Sequence, residues 1–487
     1  MTLARHIIQM SREAADGGKG DDSLSLKGWT HFVGIGGVGM SGLAQLLLAS
    51  GHPVSGSDIK KNKYTELLEE RGAIIYQGHH ASHIGPLVRR VVVSSAISPE
   101  NPEVKEAERR GLEIIKRGKL LAELMFPHRG IAVAGAHGKT TTSAMISLIL
   151  WQGGLDPTAV IGGYVPGLGS NARLGNSPFF VAEADESDGS FLWLNPEIAV
   201  ATNIEDDHLD HYGTLEGIVE AFRDFLHRVR PGGAAVLCLE DALLWRLIPE
   251  VKRTIITYGF RSDAHYQARD VKLKGLGSQS KIYGHGKLLG ELELKVPGMH
   301  NVLNALAAIA VAHRLEVPWL AIQDALATFR GVERRFQILQ DAGDIWVVDD
   351  YAHHPTEIRA TLAAARQVRA KRIVAIFQPH RYTRTFYLHR ELARALQGAD
   401  MVIINDIYPA GEKPLPGVHA RLIVQALEEA GHPAVHYLPS GTATLEFLRK
   451  NIRPGDLVLT LGAGDVYEIG EELARYLEAG SGARVEG

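Results

Sequence analysis

The sequence predicts an α/β protein of three successive units, each with an open, mostly parallel sheet wrapped by helices. Three observations carry that expectation. Short apolar runs of strand length alternate with longer helix-like stretches along the 487 residues, the pattern of parallel sheets covered on both faces. Glycine-rich turns follow two of these runs just before a helix, at 34–42 and 135–138. Clusters dense in His, Asp, Glu and Arg close other runs, at the strand ends where open α/β sheets build their sites. The length alone suggests about three domains.

The first unit spans residues 26–125, behind a Gly-, Asp- and Ser-rich extension at 1–25 that is expected to be mobile. Thr30–Ile35 reads as a strand, followed by a glycine turn and a helix to Ser50; Pro53–Asp58 and Arg90–Ser95 read as further strands. This is β/α alternation of Rossmann type. The second unit, 126–330, opens with Gly130–Ala134 as a strand and Ser143–Trp151 as a helix. Phe179–Glu183 and Ile198–Asn203 read as buried strands. Residues 262–296 alternate polar and apolar with several glycines, which predicts small antiparallel strands. In the third unit, 331–487, the strand candidates are Ile345–Asp349, Arg372–Phe377, Met401–Ile404 and Leu457–Leu461.

Composition excludes several classes. Hydrophobic residues at 45% and charged residues at 22% describe an ordinary globular chain. A net charge of −4 argues against a nucleic-acid-coating surface. The single cysteine, Cys238, excludes a disulfide framework and a cysteine-rich zinc site; its apolar run Ala234–Cys238 predicts a packed core residue. Met1–Asp22 lacks the basic-then-apolar order of a signal peptide, and no uncharged apolar run reaches membrane-spanning length. A cytoplasmic protein with neither membrane nor nucleic-acid partner is expected.

The richest stretch is Gly135-Ala136-His137-Gly138-Lys139-Thr140-Thr141, set between a strand and a helix. Glycines let backbone N–H groups point at an anion, and the helix N-terminus adds partial positive charge. Lys139 reaches outer phosphates, and the Thr140 hydroxyl suits Mg²⁺. The usual spacing is Gly-x4-Gly-Lys-[Ser/Thr], so this loop is a shortened variant. A glycine turn with a chance Lys-Thr is the alternative; the strand–loop–helix context favours a nucleoside triphosphate site.

The earlier glycine loop holds Gly36, Gly37, Val38, Gly39, Met40 and Ser41, and admits a pyrophosphate at a helix N-terminus. Asp58 ends the second strand, where dinucleotide folds place a ribose-binding acid. NAD and a nucleotide-linked substrate both fit, and the downstream phosphate loop favours the latter. Glu183–Asp188 offers the hard oxygens Mg²⁺ prefers, against the alternative of a solvated acidic loop. His208, within Glu205–Asp210, is a metal-ligand candidate or surface decoration. Asn301 and Asn304 suit an adenine edge or an N-cap. Arg335 is placed to neutralise a transferred phosphoryl group. His353 lies in Asp349–Glu357, and Arg381 and Arg384 in Phe377–Thr385; the arginines suit bidentate carboxylate recognition.

Taken in order, Gly-Ile-Gly-Gly-Val-Gly-Met-Ser-Gly, Gly-x-His-Gly-Lys-Thr-Thr-Thr, Glu-Ala-Asp-Glu-Ser-Asp, Asp-Asp-Tyr-Ala-His-His-Pro-Thr-Glu and Gln-Pro-His-Arg-Tyr-Thr-Arg-Thr resemble the Mur ligase family of peptidoglycan synthesis, in its alanine-adding branch. The likeness covers essentially everything after residue 28. It implies a Rossmann-like UDP-substrate domain, a central P-loop ATPase domain with a mostly parallel sheet, and a C-terminal Rossmann-like α/β amino-acid domain. It further implies a ligase that joins L-alanine to UDP-N-acetylmuramate with ATP and two Mg²⁺ ions, acting as a monomer or homodimer. By resemblance, residues 36–41 with Asp58, Ser94 and Ser95 face the UDP-sugar. Residues 135–141, Asn301, Asn304, Arg335 and Asp349 hold ATP, with Asp349 at the ribose. Thr140, Glu183 and His208 hold metal, and His353, Arg381 and Arg384 orient L-alanine. Lys139, His208, Arg335 and His353 are the catalytic candidates.

Two departures from the family pattern stand out. Ala136 replaces the usual loop threonine. No lysine lies between Lys139 and Lys252, where later-acting family members carry a carbamylated lysine; the region holds Arg223, as the alanine-adding branch would. Competing readings are a ligase that recycles a preformed tripeptide, an NAD-dependent oxidoreductase, and an ATP-binding switch.

Overall fold

The computed structural model describes residues 28–341, 344–368 and 370–482; the extension expected at 1–25 lies outside them. The first sheet contains β1 (Trp29–Val33), β2 (Val54–Asp58), β3 (Ile74–Gln77), β4 (Val88–Val93) and β5 (Glu113–Lys116). All neighbours run parallel, in the order β3-β2-β1-β4-β5. The chain builds outward from β1 to β3, then crosses back to β4. That reversal opens a crevice at the carboxyl ends of β1 and β4, where the glycine loop leaves one strand and Ser94 and Ser95 leave the other. The third predicted strand stops at Val93, so both serines belong to the turn.

The second sheet has ten strands: β6 (Arg129–Ala134), β7 (Thr158–Val165), β8 (Ser170–Arg173), β9 (Phe179–Glu183), β10 (Ile198–Ala201), β11 (Ala234–Cys238), β12 (Thr254–Gly259), β13 (Tyr266–Lys274), β14 (Gly277–Gly284) and β15 (Lys287–Leu294). Their order is β15-β14-β13-β12-β11-β10-β6-β9-β7-β8. Every residue of β10 and β11 is buried, and both read as unbroken apolar runs because helices cover both faces. Cys238 is a buried free thiol. The antiparallel strands expected at 262–296 are β13–β15. They extend the main sheet through two parallel pairs, Tyr258↔Tyr266 and Gly259↔Gln267. The helix after the phosphate loop spans Lys139–Gln152 and packs against Met299–Arg314.

The third sheet contains β16 (Gln337–Gln340), β17 (Trp346–Asp350), β18 (Arg372–Phe377), β19 (Met401–Ile404), β20 (Val435–Tyr437) and β21 (Asp456–Leu461), in the order β16-β17-β21-β18-β19-β20. Only β16 is antiparallel to its neighbour. One continuous apolar cluster runs from Phe32 and Leu43 of the first unit through Val133 and Ile149 of the second. The third unit has clusters of its own, Val348 and Phe377 on one face of its sheet and Val347 and Ile376 on the other. The first two units therefore share a core, which Val332 at the start of the third unit also joins, whereas the charged side chains at the site tie the second unit to the third by ion pairs and hydrogen bonds.

Candidate active site

The phosphate loop is shaped by left-handed glycines. Gly135 has φ 140° and Gly138 φ 82°. A Cβ on Gly135 would lie 2.0 Å from Thr202 Oγ1, and one on Gly138 2.5 Å from Asn304 Oδ1, so neither position admits a side chain. Gly138 caps Lys139–Gln152 without a side-chain acceptor, and no acid lies in the first turn. Free N–H groups and the positive helix end therefore face the loop, which makes an anion site. The end of β10 holds the loop in place. Asn203 Oδ1 accepts from His137 N at 2.8 Å, and Thr202 Oγ1 donates to His137 O at 2.6 Å. Ala136 N donates to Asn203 O at 3.2 Å, so the backbone shape does not depend on a hydroxyl at 136.

Lys139 Nζ donates to Gly135 O at 2.6 Å and to Glu186 Oε1 at 2.7 Å. Burial pushes the Glu186 carboxyl up to about 7 against the pull of Lys139. Its Oε2 has no hydrogen-bond partner among the described residues. His208 Nε2 lies 3.9 Å from Glu186 Oε1. Its backbone is left-handed, φ 62°, a costly conformation for a non-glycine residue and one that clusters at functional sites. Burial lowers the His208 pKa and so favours a neutral imidazole with a lone pair. Glu183 Oε2 accepts from Gly162 N at 3.0 Å. The carboxylate that engages Lys139 is thus Glu186, inside the acidic run but not singled out by sequence; the pattern alone does not say which acid turns inward.

A cavity of about 390 Å³ runs from this loop to the third unit. Thr140, Thr141, Asn301, Asn304 and Arg335 line it, with Cys238, Tyr258 and Phe329 as an apolar wall. Neither asparagine caps its helix: Gly298 is the N-cap. Asn301 Nδ2 donates to Pro297 O at 2.7 Å, and Asn304 Nδ2 to Asn301 Oδ1 at 3.2 Å. Asp349 does not reach the cavity. It is 1% exposed, accepts from Thr460 Oγ1 at 2.6 Å and pairs with Arg334 Nε at 3.0 Å. Its neighbour Asp350 lines the cavity instead, because successive strand residues face opposite sides.

Glu357 gathers the third unit's contribution. Its Oε2 accepts from the His353 and His354 amides at 3.0 and 3.2 Å, and its Oε1 lies 3.4 Å from Arg335 Nη1. His353 Nδ1 lies 3.0 Å from Tyr351 O. The proton is therefore assigned to Nδ1, leaving the lone pair on Nε2. Burial holds His353 down to about 4. Arg384 Nη1 is 3.2 Å from His380 Nδ1, and the His380 ring is 5.7 Å from that of His353. Arg381 enters the following helix at φ 70°, its amide donating to Tyr408 O at 2.8 Å. His353, Arg381 and Arg384 thus assemble around His380.

In the first unit Gly36 N donates to Asp58 Oδ2 at 2.8 Å, so Asp58 braces the glycine loop. Met40 and Ser41 turn inward at 2% and 0% exposure. Their helix, Val38–Ala49, starts at Gly37 without a side-chain cap, which leaves backbone amides as the anion donors there. Arg117, which the sequence did not flag, passes beside Gly39 and pairs with Asp185 at 2.7 Å. It links the glycine loop to the acidic run.

Three descriptions of one family match the chain in succession: the Mur ligase family catalytic domain over residues 30–129, the Mur ligase middle domain over 133–312, and the Mur ligase glutamate ligase domain over 334–464. A UDP-N-acetylmuramate–L-alanine ligase of Syntrophotalea carbinolica is 50% identical over 448 residues, 92% of this chain and 98% of the relative. Its counterpart from Solibacter usitatus is 51% identical, over 92% and 95%. The crystal structure of UDP-N-acetylmuramate–alanine ligase from Thermotoga maritima is 32% identical with a TM-score of 0.80, covering 93% of this chain and all of that one. A murein peptide ligase from Psychrobacter arcticus is 26% identical with a TM-score of 0.71, over 92% and 98%. With relatives at half identity along nearly its whole length, the chain belongs to the Mur ligase family.

Proposed function

We propose that the protein joins L-alanine to the lactyl carboxylate of UDP-N-acetylmuramate at the expense of ATP, through an acyl phosphate. The reaction is the first amino-acid addition to the peptidoglycan precursor. The identity of about half to alanine-adding relatives over 92% of the chain carries this reading. The murein peptide ligase is more distant at 26%, and an oxidoreductase leaves the phosphate loop unused. No helix among the described residues is long and apolar enough to cross a membrane, in keeping with a cytoplasmic enzyme of small-molecule substrates. The three units act as UDP-substrate, ATP and amino-acid domains, with boundaries near 125 and 330.

A carboxylate does not acylate an amine in water, because it offers no adequate leaving group. Phosphorylation supplies one. The lactyl oxygen attacks the γ-phosphoryl group of ATP while the uncapped amides of residues 138–141, Lys139 and Arg335 take up the developing charge. ATP phosphates compete with Glu186 for Lys139, and the raised pKa of Glu186 lets that carboxyl take a proton when displaced. The purine side of ATP fits the apolar wall beside Asn301 and Asn304. Oxygen-rich donors at Thr140 and Glu183, with His208, suit Mg²⁺, which when bound shields the phosphate oxygens. His353 presents its Nε2 lone pair, but at about 4 it is too weak a base to hold an amine proton at neutral pH. Its role is to orient the amine of L-alanine, whose carboxylate suits Arg381 and Arg384. The free amine, its ammonium proton given up to solvent, attacks the acyl carbon; the tetrahedral adduct then collapses to the amide, losing its second amine proton to the departing phosphate.

Phosphate release from ATP, Mg²⁺ and UDP-N-acetylmuramate, with and without L-alanine, tests this reading. Release that requires both the sugar nucleotide and L-alanine, with a matching mass gain in the product, supports it. Release with L-alanyl-γ-D-glutamyl-diaminopimelate but not with L-alanine would make the protein a recycling ligase.

A further inference from the structure

We propose that the side chains of His137, Glu205 and His354 form a binding site for a transition-metal dication of the zinc class, on the seam between the second and third units. The reaction above uses none of these three side chains. One ligand atom from each lies within 4.8 Å of the other two. Glu205 Oε2 is 3.3 Å from His137 Nε2 and 3.2 Å from His354 Nδ1. Tetrahedral coordination with bonds of about 2.0–2.1 Å sets ligand atoms roughly 3.3–3.4 Å apart, so both edges at the carboxylate are already near the required length. The two imidazoles stand beside each other, ring centres 5.1 Å apart.

Without an ion the two imidazoles rest on ion pairs: against its burial, Glu357 and Glu205 flank His137 and raise it to about 9, so a metal binds there by displacing that proton. His354 is 4% exposed, yet neither of its ring nitrogens has a hydrogen-bond partner among the described residues, and the same holds for His137. Their approaches to carboxylates have ionic distance without hydrogen-bond geometry. Buried polar atoms in that condition are costly, and a metal ion would engage one nitrogen of each ring.

The surroundings resemble a metal shell. His137 Nδ1 lies 3.1 Å from Glu357 Oε1, the carboxylate–histidine arrangement that orients a ligating imidazole. Thr356 Oγ1 donates to the ligating oxygen of Glu205 at 2.8 Å. His137, Glu205 and Thr356 also line the cavity, so a fourth position opens toward it for water or a nucleotide oxygen. Two imidazole nitrogens select a transition metal over Mg²⁺, which separates this site from Thr140, Glu183 and His208. An ion here would tie the phosphate loop directly to the start of the helix Pro355–Gln367.

Co²⁺ titration of the full chain in Mg²⁺-containing buffer, followed by visible absorption, tests the proposal without any assay of activity. Tetrahedral Co²⁺ absorbs intensely, whereas octahedral Co²⁺ absorbs weakly. The expected result is one intense equivalent, displaced by Zn²⁺. His354→Ala and Glu205→Gln weaken it about tenfold or more, while Glu183→Gln and His208→Ala retain it. Thermal melts establish that each variant is folded, and His137→Gln serves if either removal is not. Weak octahedral absorption in the wild type, or an intense band that survives these removals, would overturn the proposal.

Discussion

Arg384 of the third unit grips Asp207 of the second: its Nη2 lies 2.8 and 3.2 Å from the two carboxylate oxygens. Both side chains are largely buried, at 9% and 12% exposure. Arg384, His208 and His353 outweigh the burial that would raise the Asp207 carboxyl and hold it well below the ordinary range. An arginine suited to recognising an amino-acid carboxylate is therefore also the clamp on the residue beside His208. On the function proposed above, one guanidinium would serve both the amino-acid carboxylate and the loop that carries His208.

Arg384→Lys keeps the charge but loses the planar fork. The expected outcome is a fall in kcat/KM for L-alanine of at least about tenfold, equivalent to about 1.4 kcal/mol, with a smaller change in KM for ATP. Phosphate release across an L-alanine series measures it. An unchanged L-alanine dependence in a folded variant would remove Arg384 from the amino-acid site.

Lys139→Ala should abolish phosphoryl transfer while the fold survives. Removing one partner of a buried ion pair ordinarily strands the other. Glu186, already raised to about 7, escapes that cost by taking a proton. Turnover is expected to fall by roughly three orders of magnitude, with a melting temperature within a few degrees of wild type. Retained turnover would refute the phosphate-loop assignment. A collapse in stability would mean the pair is structural.

The parts of this molecule that were legible in sequence share a physical basis. Central strands such as Ile198–Ala201 and Leu457–Leu461 are buried on both faces and so read as apolar runs. The short strands Ile74–Gln77, Glu113–Lys116 and Val435–Tyr437 contain no fully buried residue, and no such run marks them. The glycine loops were visible because Gly34, Gly135 and Gly138 take left-handed turns, and because Gly36 and Gly39 lie too close to Asp58 and Arg117 for a side chain. What stayed hidden was orientation. Asp349 and Asp350 are adjacent acids, and only strand alternation sends the second toward the cavity. Glu186 and Glu357 stand in quoted runs, but their roles come from contacts made across 47 and 22 residues of sequence, to Lys139 and Arg335.

Glu103 is expected to make the first unit acid-sensitive. Glu103 is fully buried, with His83 Nδ1 at 2.6 Å and His79 Nδ1 at 3.2 Å. Burial alone would raise its carboxyl, but the His31 imidazole 3.7 Å away and hydrogen bonds from Ser57 and His83 bring it down to about 2 from 4.5. A depressed folded-state pKa stabilises above the unfolded value, and that stabilisation fades as pH falls from 4.5 toward 2. The urea midpoint of wild type should exceed that of Glu103→Gln at about pH 5, and the gap should narrow by about pH 3. A gap that does not change with pH would show that the carboxylate charge contributes nothing.

Gly162→Ala separates metal binding from everything else the site does. Gly162 N donates to Glu183 Oε2 at 3.0 Å, and a Cβ on Gly162 would lie 2.2 Å from that same oxygen. The backbone accepts alanine, since Gly162 is not among the glycines with positive φ. What must move is the carboxylate, a flexible end leaving its seat by about an ångström to restore ordinary contact. If Glu183 ligates Mg²⁺, the Mg²⁺ concentration for half-maximal turnover should rise about tenfold, with KM for L-alanine and the melting temperature nearly unchanged. Gly163→Ala is the matched control, because its Cβ would lie 2.6 Å from Val332 Cγ1 and would strain apolar packing instead. It should lower the melting temperature and leave the Mg²⁺ dependence alone. Equal Mg²⁺ responses in the two variants would mean that Glu183 is held by Gly162 for packing and not for the metal.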